Sequence, residues 1–327
     1  MLNLRCFGAL LLAGLLLTAA PAGAQQYPDK PINVIVPFPP GAVDVYVRIV
    51  QPFAEKQLGQ PLVVQNRGGA NGAVGTEFVA RSKPDGYTLL FNVTSSAVMA
   101  PLTMGNARFD ILKDFTPITD FVDSPVALVV RKSLPVKNLQ EFIAYAQANQ
   151  GKLNYGSPGS GSSLHMIGIS FANAIGVKMT HVPYKGFAPE LQAMIGDELD
   201  MGFIGTGSAH THILKGSIRA LAMAAGKPPG DYGPDIPDLS KTLKGYDNVP
   251  IFSALWAPAG TPLEIVEKLS SVMRAALADS DVRTKFAGIG QATLGRSREE
   301  AAKAIAANVE VATRLVNQAK EAGVVFE

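Results

Sequence analysis

The chain has 327 residues, a formal net charge of +2, one cysteine and 47% apolar residues. That near-neutral balance, with no clustered basic face, gives no footprint for nucleic acid or an anionic membrane surface. The length suits two domains of ordinary size, with cores large enough to stand without disulfides.

At the N-terminus, Arg5 precedes an apolar run from Phe7 to Leu17, and Ala22-Gly23-Ala24 follows as a small-x-small signal. Residues 1–24 are therefore expected to be a signal peptide cut after Ala24. The run is short for a spanning helix of ~20 residues, and no later segment is long and apolar enough to insert in a membrane. Cys6 would leave with the peptide. A mature, exported chain without cysteine points to a bacterial periplasm.

From there, short β-like runs alternate with helical patterns. "INVIVPF", "PLVVQN", "YTLLFNV", "PVALVV", "KLNYGS", "MTHVPY", "LDMGFIG", "IRALAMA" and "IFSALWA" read as strands. "VYVRIVQPFAEKQLG", "NLQEFIAYAQANQG" and "MIGISFANAIG" have apolar spacing near 3.6 and close on Gly, as helices do. The alternation predicts an α/β fold with mostly parallel sheets. A Pro/Gly-rich stretch from Ala225 to Asp238 interrupts it, and three helices follow "IFSALWAP". Ser297 and Glu300 form a capping-box signature for the last helix. The expected organisation is two lobes, with the chain crossing near 121–126 and returning near 248–253. Residues 25–123 and 251–327 would form lobe 1, residues 124–250 lobe 2, and the C-terminal helices would pack on lobe 1.

Four strand-to-helix connections share a small, hydroxyl-rich style. "VPFPPGAVDVYVR" carries Phe38, Pro40, Gly41 and Ala42, with Asp44 placed to favour a helix dipole. "FNVTSSAVMAP" carries Thr94, Ser95 and Ser96, and "FIGTGSAHTH" carries Gly205 and Thr206. "YGSPGSGSSLHM" is the richest, with Ser157, Gly159, Ser160, Gly161, Ser162 and Ser163; Ser162 or Ser163 is placed to cap the next helix. Such connections predict a crevice at the C-terminal edges of the sheets, where open α/β folds bind ligands. Helix N-termini there favour carboxylates as readily as phosphates. Lys185, in "HVPYKG", is a further cation for an anionic ligand.

Known fingerprints fail on the glycine-rich loop. Gly156 and Gly161 have P-loop spacing, but Ser162 stands where the phosphate-binding lysine belongs. Gly159 and Gly161 are followed by Ser-Ser-Leu, which is no dinucleotide fingerprint, and no G-x-S-x-G elbow is present. His210 and His212 do not share a helix face, so neither a metal nor a cofactor is expected. Four histidines keep an exported serine hydrolase as the competing reading, although no motif pairs them with a serine.

In order along the chain, "YPDKPINVIVPFPPG", "LGQPLVVQNRGGANGAVGTEFVA", "KPDGYTLLF", "LKDFTPIT", "GKLNYGSPGSGSSLH", "HVPYKG", "ILKGSIRALA" and "APAGTP" span Tyr27 to about Gly295. Together they resemble the substrate-binding proteins of tripartite tricarboxylate transporters, the Bug group of periplasmic receptors. The resemblance implies a two-lobed, type II (Venus-flytrap) binding protein and no enzymatic activity. It would close on a small mono- or dicarboxylate, aliphatic or aromatic, and deliver it to membrane permease subunits. A receptor feeding a sensor kinase is the variant of this reading, and a monomer is expected. The resemblance places ligand contacts at 38–43 and 94–96 in lobe 1, and at 157–163, Lys185 and 205–206 in lobe 2. Family members carry "PFPPGG" where this chain has Gly41-Ala42, so the first loop is one glycine shorter. Phe38, Phe187 and Trp256 are candidates for a stacking wall, with core packing as the alternative.

Overall fold

The computed structural model describes residues 27–41, 43–105, 107–228, 232, 236–249 and 251–326; the expected signal peptide and Ala42 lie outside them. The chain first lays down strand β1 (Ile32–Val36), helix α1 (Asp44–Leu58), β2 (Leu62–Asn66), α2 (Ala73–Ala80) and β3 (Thr88–Val93). A π-turn (Ser95–Met99) leads into α3 (Ala100–Thr103), and then come β4 (Phe115–Asp123), β5 (Val126–Arg131), α4 (Leu139–Ala148) and β6 (Asn154–Ser157). Next are α5 (Ser163–Ile175), β7 (Thr180–Pro183), α6 (Phe187–Ile195), β8 (Met201–Gly205), α7 (Thr206–Leu214) and β9 (Ile218–Ala225). The chain closes with α8 (Leu239–Thr242), β10 (Phe252–Pro258), α9 (Leu263–Ala278), α10 (Ser280–Gly288) and α11 (Arg298–Glu321).

Helix α1 shows why these segments take these forms. Val47, Val50, Ala54 and Leu58 bury one stripe, and Gly59 ends the helix in the left-handed region with its N–H on Glu55 O. Strands β1, β5, β8 and β10 are largely apolar because both faces of the sheets are covered there, whereas the edge strands β2 and β7 are partly exposed.

Among the described residues the strands form two five-stranded sheets, ordered β2-β1-β3-β10-β4 and β7-β6-β8-β5-β9. Every strand expected from the sequence is present, and one more, β4, was not foreseen. The sheets are mixed, however, and not mostly parallel. β2, β1 and β3 run parallel, as do β7, β6 and β8, while β10 and β5 enter reversed. The reversal comes from the two crossings: β4 leads straight into β5, and β10 returns after β9 to insert between β3 and β4.

One face of the first sheet packs on α1, α9 and α10, with Phe91, Phe121, Leu255 and Leu269 at its centre. The opposite face shares one apolar cluster with the second sheet, from Ile35 and Trp256 through Leu128 and Phe203 to Leu315 and Val316 of α11. The C-terminal helices were expected on lobe 1 alone. α9 and α10 pack there, whereas α11 touches β4 and also α5 of the second sheet. Its buried positions, Ala301, Ile305, Ala312, Leu315, Val316 and Ala319, form one long stripe that lies along both.

Candidate functional site

The parallel strands of both sheets send their C-terminal ends toward one another. On the first lobe, the turn after β1 holds Phe38 half-buried and Pro40 and Gly41 exposed. Gly41 N donates to Asp44 Oδ1 at 2.7 Å, and Asp44 also pairs with Arg48 at 2.8 Å. These hydrogen bonds with Arg48 and Gly41 hold the Asp44 carboxyl below its ordinary range although desolvation, the largest single influence, pushes it up. One donor of this loop is therefore committed to its own chain. After β3, Thr94 is buried and donates to and accepts from Phe252, and Ser96 is buried on Asn92. Ser95 alone of the three reaches across: its Oγ lies 3.1 Å from Ser163 Oγ.

On the second lobe, the loop 157–163 is tied down from beneath. Ser162 caps α5 by accepting from His165 N at 3.2 Å, which leaves Ser163 free to face the first lobe. Ser157 is fully buried. Its Oγ is 2.9 Å from Gly159 O, accepts from Gly159 N at 3.3 Å and is hydrogen-bonded to His181 Nε2 at 2.7 Å. His165 Nδ1 accepts from Gly161 N at 3.0 Å, so its own proton sits on Nε2. The two imidazoles stack at 3.7 Å and 8°. Both are neutral: desolvation, joined by the neighbouring His181, pushes His165 down to about 3, and desolvation alone pushes His181 down to about 4.

Gly159 and Ser160 are half-buried at the top of this loop, and Gly161 is buried under it. Gly161 O accepts from Thr103 Oγ1 of α3 at 3.3 Å, a second contact between lobes. Lys185 is exposed on the turn before α6, outside this knot of contacts. Gly205 precedes α7 without a side-chain cap, and Thr206 N donates to Pro125 O at 2.9 Å.

Several participants were invisible as site residues in the sequence. Asn71 Nδ2 donates to Ser95 O at 3.4 Å, so the "GGANG" turn backs the first-lobe loop. His165 and His181 brace the glycine loop, and the turn Ile289–Gln291 forms a wall against Gly207. For His165, the signal was its place four residues after Gly161; the 289–291 turn had none. Of the proposed stacking residues, Trp256 is buried against Phe115 and Phe187 and Phe38 pack on the cores. Among the described residues, no group of three His, Cys, Asp or Glu could hold a metal ion. An open depression of about 960 Å³, lined by Lys30, Glu77, Arg81, Asp85 and Tyr87, lies at the N-terminal edge of the first sheet, away from these loops.

The family model of the tripartite tricarboxylate transporter family receptor matches residues 46–320. The chain is 31% identical to the periplasmic binding protein BugD, covering 92% of this chain and all of that one, with a TM-score of 0.77. It is 30% identical to MatC of Rhodopseudomonas palustris with bound malate, with coverage of 89% and 100% and a TM-score of 0.78. A second R. palustris protein, with adipate, shares 27% identity over 91% of this chain and 99% of that one, at a TM-score of 0.80.

Proposed function

The chain belongs to the tripartite tricarboxylate transporter receptor family, and on that footing we propose that it is a periplasmic receptor that closes on a small carboxylate. One observation carries the reading. The loops after β3 and β6, on opposite sheets, meet at Ser95 and Ser163, and α5 begins at Ser163 itself. Helix N-termini attract a carboxylate through free N–H groups and about half a positive charge. A ligand held by both lobes would stabilise the shut state over the open one, which is all that hinge closure requires.

In this proposal the lobes are 25–123 with 251–327, and 124–250. The ligand loops are 38–43 and 94–96 facing 157–163 and 205–206, with Lys185 contributing long-range attraction. Within them, Ser95, Ser160, Ser163 and Thr206 are the side chains best placed to face a ligand, since Thr94, Ser96, Ser157 and Ser162 are already bonded inside their own lobes. A dicarboxylate fits best, because each lobe brings its own helix N-terminus. Malate and adipate in the related proteins belong to that class. We further propose delivery to membrane permease subunits, by a monomer, after removal of residues 1–24.

A serine hydrolase is disfavoured where the side chains of Ser157 and His181 meet. Ser157 is fully buried, so its hydroxyl is not open to a substrate, and desolvation is the one influence on the His181 pKa, with no contribution from a carboxylate among the described residues.

The test is a thermal-shift screen of ligand-stripped mature protein against short aliphatic diacids, tricarboxylates, aromatic acids and acidic amino acids. A ligand at 100 times its dissociation constant stabilises the fold by about 2.7 kcal/mol. A clear shift with one carboxylate class is expected, with the ligand recovered unchanged. A folded protein that responds to none of them would refute the reading.

A further inference from the structure

Two polar atoms at one end of the cleft have no hydrogen-bond partner among the described residues: Thr206 Oγ1 and Gln291 Oε1. Both are shut off from solvent, Thr206 completely and Gln291 with 7% exposure. They come from opposite lobes. Thr206 opens α7 at the end of β8, beside the glycine loop because β8 pairs with β6. Gln291 follows α10 in a turn anchored to the first sheet, where Leu294 N donates to Phe121 O at 2.8 Å and Thr293 bridges Val122.

The lobes touch here through bare backbone. A Cβ on Gly207 would lie 2.5 Å from Ile289 O and 2.9 Å from Gln291 Nε2, so only glycine permits the approach. The approach brings the Gln291 amide against the first turn of α7. A buried polar atom without a partner bears its whole desolvation cost, and protein interiors leave few of them. Two such atoms on facing lobes, beside a helix N-terminus in the ligand crevice, call for a third party that completes them.

We infer that Gln291 and Thr206 form a polar clamp that selects a carboxylate bearing a hydrogen-bond donor, a hydroxyl or an ammonium, on the carbon next to the carboxyl group. The chemistry follows from which atoms are idle. The Thr206 hydroxyl donates to a ligand oxygen. Gln291 Oε1 can only accept, so its partner must bring an O–H or N–H. An ionised, unsubstituted diacid has none, and binding it leaves Oε1 buried and unpaired. A 2-hydroxy or 2-amino acid of the same skeleton completes both. Sites built to hydrogen-bond a ligand group reject the analogue lacking it far more strongly than apolar pockets reject a missing methylene. The inference rests on the carboxylate-receptor reading above and narrows it.

The test is titration calorimetry of ligand-stripped protein with acids matched in skeleton: succinate against malate and aspartate, adipate against 2-hydroxyadipate, and phenylacetate against mandelate. The wild type is expected to favour the substituted member of the skeleton it binds by at least about tenfold. Malate against aspartate distinguishes hydroxyl from ammonium. Gln291→Met, which keeps the side chain's length and removes its amide, is expected to collapse that ratio to within about threefold of unity, as is Thr206→Val from the other lobe. A ratio that survives in both variants, even with all affinities lowered, would mean that the two residues only support the fold. Equal binding of matched acids by the wild type would mean that no ligand donor reaches these atoms and would sink the clamp alone. Failure of the wild type to bind any carboxylate would sink the receptor reading with it.

Discussion

Gly161 sits where the two lobes come closest, and it does so with a φ of +71°. A Cβ there would lie 2.5 Å from Thr103 Oγ1 and 2.7 Å from Thr103 Cβ. Gly161→Ala therefore meets both a left-handed backbone and a neighbour that must give way. The expected cost is about 1–3 kcal/mol, read as a fall of several degrees in unfolding temperature, together with weaker ligand binding because Ser163 is pushed off Ser95. A variant with wild-type stability and affinity would show that the close contact between α3 and the glycine loop is dispensable. At this scale the sequence was half legible. Gly159, Gly161 and a capping serine marked a tight strand-to-helix turn, because those residue types answer to local backbone geometry. Which serine caps and which faces the other lobe depended on the partner loop, which lies 68 residues away in the chain at Ser95.

Helix α11 was legible down to its first residue. Ser297 Oγ accepts from Glu300 N at 3.2 Å while Glu300 Oε2 accepts from Ser297 N at 2.9 Å, a complete capping box. Ser297→Ala is expected to cost about 1 kcal/mol, and since α11 spans β4 and α5, the loss should appear as earlier unfolding of the whole molecule in a single denaturant transition. A separate, earlier transition confined to the C-terminal helix would contradict its role in joining the sheets. Strand β4 shows the opposite case. Pro117 and Asp120 break its apolar run, so it does not read as a strand. It is tolerated because β4 is the edge strand of its sheet, where proline is acceptable, and on its outer side it meets only the short 293–295 segment near Asp120–Val122. Asp120 is buried against Arg296, which no local pattern announces.

For the whole molecule, three buried titrating groups set opposing pH limbs. Glu190 is fully buried with neither carboxyl oxygen bonded, and desolvation pushes it up from 4.5 to about 8. Its raised pKa means that the fold holds the proton, so the stability it contributes is complete below pH 4.5 and lost as pH rises toward 8. His165 and His181 are depressed from 6.5 to about 3 and about 4, so their contribution is complete above 6.5 and lost as pH falls through those values. These groups place a stability maximum near pH 6.5. Glu190→Gln is expected to flatten the alkaline limb, which otherwise falls by on the order of 1.4 kcal/mol per pH unit, and to leave the acid limb in place. Unfolding temperatures measured from pH 4 to 9 check this. An alkaline limb identical in the variant would mean that Glu190 ionises without cost.

The sequence by itself determined the α/β alternation, nine of the ten strands, the capping box of α11, a serine cap at the start of α5 without saying which serine, and the hydroxyl-rich strand ends, and the ordered motifs carried the family. All of these rest on periods of two and 3.6 and on residue types suited to turns, which act over a few neighbours along the chain. Tertiary structure alone decided that β5 and β10 run reversed and that α11 lies along both sheets. It also stacked His165 on His181, joined Ser95 to Ser163 and set Gln291 beside Gly207. Each of these couples positions distant in sequence, and a chain's local pattern carries no information about which distant surface its own will meet.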